Sequence, residues 1–129
     1  MDQRNRKWAA AAVALGGLLA MAGAAASPSN KWRIQVSGGA ESAGAIVLEI
    51  VPVDGPPESV TVEVVDGTSE NQVAKTIRDA IRGQLGQRYK AEVDDGEDVL
   101  VKRNMGGPKF DLTLTSNTVQ GIRLNFDKE

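Results

Sequence analysis

Past residue 30 the chain alternates apolar and polar residues in short runs, interrupted once by a longer helical period. "KWRIQV" (31–36) alternates and predicts a strand. "AIVLEIVPV" (45–53) sets Ile46, Leu48 and Ile50 on one face and Val47, Glu49 and Val51 on the other, with Pro52 near its end. "SVTVEVV" (59–65) sets Val60, Val62 and Val64 against Thr61 and Glu63, and the link "DGPPE" makes a hairpin of these two runs. The spacing then changes. Over 66–86, Val73, Ile77, Ala80, Ile81 and Leu85 recur on one helical face, while Lys75, Thr76, Arg78, Asp79 and Arg82 take the other. Thr68 or Ser69 can cap the start, with Gln72 three residues after Ser69. Glu70 suits the first turn, and Gly83 or Gly86 can end the helix. Four more strands follow at 89–93, 99–103, 110–115 and 122–126. The order β-β-β-α-β-β-β-β predicts an α+β fold: a mostly antiparallel sheet of about six or seven strands, with one amphipathic helix packed on one face. A helix this short needs a partner for its apolar stripe, and the sheet offers one.

The beginning of the chain is of another kind. Arg4, Arg6 and Lys7 precede the uncharged, Ala- and Leu-rich "WAAAAVALGGLLAMAG", and small residues follow. That order predicts a signal peptide over 1–26, with Ala24 and Ala26 at the small-residue positions and cleavage before Ser27. One small domain, 27–129, is expected to remain, in the bacterial periplasm or secreted. Loss of the leader leaves 103 residues with 12 basic and 16 acidic side chains, a net charge of −4. An acidic domain lacks the basic face that nucleic acid requires, and no membrane contact is expected beyond the export signal. With no Cys among the 129 residues, packing and strand pairing alone must hold the domain.

A resemblance runs over 45–115. The apolar hairpin, the helix start "DGTSENQVAKTIRDAI", the pair "YKAEVDDGEDVLVKR" and the strand "FDLTLTS" are similar to the small β-β-α-β-β module of phage tail-sheath proteins and of bacterial surface or filament proteins. The resemblance implies a fold and a non-catalytic role in assembly, and it brings no catalytic residues. The chain departs from that module in carrying its own leader.

Candidate chemistry is sparse. His and Cys are both absent, which removes Ser-His-Asp and Cys-His nucleophile systems and Cys/His zinc sites. No enzyme activity and no cofactor are expected. Asp94, Asp95, Glu97 and Asp98 in "DDGED" are the calcium candidates, although the run lacks the alternating spacing of a calcium loop and reads first as a hairpin turn. "GGAESAG" (38–44) is read as a connection rather than a phosphate loop. Lys75, Arg78 and Arg82 form a basic stripe for an acidic partner. The leading expectation is an exported, non-enzymatic domain that binds another protein or itself through an exposed strand edge. A periplasmic small-ligand or ion-binding protein using the turn 94–98 is the alternative. A third reading is an inhibitor presenting the loop 53–58. The C-terminal runs, with Asp111, Arg123 and Asn125 on their polar faces, contain no internal Pro and are candidates for the open edge. Proline at Thr113 would block such an edge if that N–H points outward.

Overall fold

The computed structural model describes residues 28–129, so the predicted leader lies outside the described residues. Seven strands and one helix follow the predicted order: β1 (Lys31–Ser37), β2 (Gly44–Pro52), β3 (Glu58–Val64), α1 (Glu70–Leu85), β4 (Tyr89–Asp94), β5 (Asp98–Arg103), β6 (Phe110–Asn117) and β7 (Arg123–Lys128). The helix starts where its cap was expected: Ser69 has extended backbone, and its hydroxyl accepts from the Gln72 N–H at 3.4 Å. Val73, Ala74, Ile77, Ile81 and Leu85 are buried, with Ala80 half-buried beside them.

The strands form two sheets, which corrects the expectation of one sheet with a helix on its face. One sheet runs β4-β5-β1-β7 and the other β3-β2-β6, with every pair antiparallel. The physical reason is coverage. Seven strands side by side would span roughly 29 Å, whereas one helix is about 10 Å across and would leave most apolar rows wet. Two sheets sharing a core cover each other instead. Ile34 and Val36 of β1, Ile46, Leu48 and Ile50 of β2, Val60 and Val62 of β3, Val99 and Val101 of β5, and Phe110 and Leu112 of β6 join the helix stripe in one cluster. Tyr89 meets Phe110 edge-on at 5.0 Å, and the Trp32 indole N–H donates to Phe110 O at 2.8 Å.

The helix packs mainly on β3 and β4, the edge strands of the two sheets, and so closes one side of the sandwich. The other edges, β6 and β7, lie on the opposite side. Ser29 joins them there at one end, pairing with Phe110 and donating from its hydroxyl to Glu129 O at 3.4 Å. The connection from β1 to β2 is the predicted Gly-rich stretch. Gly38 has φ +85 and lies so close to Gly121 O that a Cβ would stand 2.1 Å from it, so only glycine fits.

Candidate functional site

The backbone of a strand offers hydrogen bonds on both sides, so each outer edge must be accounted for. β3 is covered by α1 in a specific way. The Gln84 side-chain amide acts as a surrogate peptide: Thr61 N–H donates to Gln84 Oε1 at 3.1 Å, and Gln84 Nε2 donates to Thr61 O at 2.8 Å. On the other side of the same helix, Arg82 Nε donates to Ala91 O on β4 at 2.8 Å. The helix therefore caps one edge of each sheet.

β6 is guarded by three devices. Phe110 exchanges both backbone bonds with Ser29, at 2.8 and 2.9 Å. Strand alternation then turns Leu112 outward, and the Asp111 carboxylate accepts its N–H at 3.2 Å. Asp111 is buried on this edge, and burial pushes its carboxyl above the usual range. Beyond Leu114 the register with β2 shifts at a bulge, which interrupts the regular ladder that an added strand would need. The same alternation turns the backbone of Thr113 toward Glu49 of β2, so proline there would break the sheet rather than block a free edge.

β7 has none of these covers. It pairs with β1 along its length, and Glu129 N donates to Lys31 O at 3.0 Å, which sets the phase of the ladder. Arg123, Asn125 and Asp127 therefore bond to β1, while the backbones of Leu124, Phe126 and Lys128 point outward. Among the described residues no strand pairs with that side of β7. On the inner face Leu124 and Phe126 pack against the core yet stay half-buried, and Leu114 on β6 is 38% exposed.

The acidic run is a hairpin turn. Asp94 pairs with Asp98 across it, and Asp95 and Gly96 take left-handed backbone, φ 52 and 82. Asp94 and Asp98 converge on Arg33 of β1, whose Nη1 lies 3.2 and 2.6 Å from them, while its Nε lies 3.1 Å from Glu129. These carboxylates, Glu129 foremost and then Asp98, raise the Arg33 guanidinium above its ordinary value. Two of the four calcium candidates are thus engaged by a cation of the protein itself. Among the described residues no group of three or more His, Cys, Asp or Glu is placed to hold a metal ion. The basic stripe is also divided: Arg82 serves β4, Arg78 pairs with neighbouring Asp79 at 2.9 Å, and Lys75 is exposed.

A cleft of about 420 Å³ that sequence reasoning did not anticipate lies where three loops converge at one end. The loop after β2, the expected inhibitor loop, supplies Asp54 and Pro56, the turn after α1 supplies Arg88, and the loop after β5 supplies Asn104 and Met105. Arg88 is paired with Glu58 at 2.7 Å, which raises its guanidinium above the ordinary value. The Asn104 amide donates to Gln87 O at 2.6 Å, leaving its buried Oδ1 without a partner. Met105 is fully exposed at the rim. The signal available in the sequence was the Met-Gly-Gly-Pro run, which names a loop and not what it faces.

No family model matches the chain, and no curated protein matches it. Among the described residues no helix is long and apolar enough to cross a membrane.

Proposed function

We propose that this chain is an exported, non-enzymatic domain that works by binding protein through the free edge of β7, in an assembly role. One observation carries the reading: β3, β4 and β6 each have an edge cover, whereas three outward rungs of β7 have none among the described residues. An open edge supplies backbone hydrogen bonds for affinity, and the side chains of alternate residues supply selectivity. Here Leu124 and Phe126 offer the apolar face and Arg123, Asn125 and Asp127 the polar one. The composition supports a role without catalysis, since neither His nor Cys is present. The test is photo-cross-linking in the cell envelope from a benzophenone amino acid replacing Asn125. Adducts above the monomer mass are expected. A cell in which position 125 yields none, while the protein is present and folded, removes the reading.

A second reading, a small-ligand protein, moves from the acidic turn to the loop-end cleft. The buried, unpartnered Asn104 Oδ1 beside that cleft favours it. Millimolar N-acetyl amino-acid amides should then shift the Asn104 side-chain signals of isotope-labelled protein in a saturable way; unmoved signals dismiss this reading.

A further inference from the structure

β7 reads Arg123-Leu124-Asn125-Phe126-Asp127-Lys128. Its order of residues has a property that its free edge makes relevant: it is complementary to itself when reversed. Laid antiparallel to its own copy about Asn125, the strand sets Arg123 against Asp127 of the partner subunit, and Asp127 against Arg123 of the partner subunit. On the other face Leu124 meets Phe126 of the partner subunit, twice by symmetry. Charges of opposite sign oppose each other on the outer face, and apolar side chains oppose each other on the inner face, the arrangement that favours cross-strand pairs.

The backbone phase agrees independently. Only Leu124, Phe126 and Lys128 direct their N–H and C=O away from β1. In this register the pairs that exchange hydrogen bonds are Leu124 with Phe126 of the partner subunit, so both members present outward groups. Asn125 falls on the two-fold axis as a pair without backbone bonds, where side chains approach most closely. Shifting by one residue would set inner faces against outer ones. Shifting by two in one direction sets Arg123 against Asn125 of the partner subunit and loses both ion pairs. Shifting by two in the other direction parts Leu124 from Phe126 of the partner subunit, and it sets Arg123 against Glu129 of the partner subunit, a carboxylate that Arg33 already holds at 3.1 Å.

We infer that the partner at β7 is a second copy of this chain, joined edge to edge about a two-fold axis at Asn125. The inference rests on the protein-binding reading above and names the partner for that same edge. The two four-stranded sheets then become one continuous sheet of eight, and Leu124 and Phe126 lose the exposure they keep in the monomer. The interface is isologous, so it closes at two copies and presents no further β7 edge.

The experiment is sedimentation equilibrium and light scattering of the chain recovered from the cell envelope, at concentrations up to about 1 mM. A reversible monomer–dimer equilibrium is expected. Arg123→Asp sets two acids against two acids and should weaken dimerisation about ten-fold or more; Asp127→Arg should do the same with bases. The double variant Arg123→Asp with Asp127→Arg restores both ion pairs in swapped order and should recover affinity to within about three-fold of the natural chain. Both changes lie on exposed side chains, and far-UV circular dichroism verifies that each of the three variants stays folded. A chain that stays monomeric throughout overturns the inference, as does a dimer indifferent to the single changes or one that the double change fails to rescue. A dilute monomer whose Leu124 and Phe126 amides are already protected also overturns it, because the edge is then not open. Cross-links from position 125 to other proteins, without the doubled mass, leave the protein-binding reading standing and remove the second copy. The absence of all cross-links removes both.

Discussion

Arg33 shows how one residue decides what an acidic cluster can do. Asp94, Asp98 and Glu129 would repel one another on the outer face of the four-stranded sheet, and the guanidinium between them turns that repulsion into attraction. Arg33→Met should therefore lower the urea midpoint at pH 7, because three carboxylates then face one another without a cation between them. Millimolar calcium should narrow the gap for the variant and leave the natural protein unchanged; a midpoint shift in the natural protein would restore the turn as an ion site. Asp111 works in the opposite sense. Burial raises its folded pKa, so the native state holds that proton more tightly than the unfolded chain does. Its contribution is fully present below the ordinary carboxylate value and is lost as pH rises through the raised one. Asp111→Asn keeps an acceptor for the Leu112 N–H and removes the buried charge. Its urea midpoint should exceed that of the natural protein at pH 7, and the difference should vanish by about pH 3. Equal midpoints at both pH values would mean that the Asp111 carboxylate is not desolvated.

At the scale of elements, the helix was legible and its purpose was only partly so. The cap at Ser69 and the stripe Val73, Ile77, Ile81 and Leu85 are local patterns, and local patterns survive without knowledge of the fold. Ile77→Asp or Ile81→Asp buries an unpaired charge and should cost about 3–5 kcal/mol, a large part of a stability of about 5–15 kcal/mol. A urea melt with an unchanged midpoint would mean the helix is not docked. Arg82 reads from the sequence as part of a basic stripe and Gln84 carries no local signal, because the Ala91 carbonyl and the Thr61 peptide groups they serve lie on other elements, β4 and β3. Gln84→Ala uncaps Thr61 and should cost about 1 kcal/mol by the same melt. A cost near zero would show that water replaces the side-chain amide without loss.

At the scale of the molecule, strand number and order along the chain follow from a period of two, but the division into two sheets does not. That division depends on β2 pairing with β6 across some sixty residues, and no turn signal encodes so distant a partner. The candidate edge was visible as a Pro-free C-terminal run, and topology was needed to show that β6 is guarded while β7 is open. This difference has a readout in hydrogen exchange that needs no partner to be known. In dilute protein the Asn125 and Asp127 amides, bonded to β1 in the middle of a ladder, should exchange slowly. The Leu124 and Phe126 amides, one residue away in the same strand, should exchange orders of magnitude faster because only water holds them. On β6 the contrast should be weaker: Phe110 is protected by Ser29, and Leu112 by the Asp111 carboxylate. Raising the protein concentration should slow Leu124 and Phe126 selectively, leaving Asn125 unchanged, because edge pairing engages the outward amides of the strand and not those already bonded to β1. Uniform slow exchange across β7 in dilute protein would place a cover on that edge and end the case for an open strand.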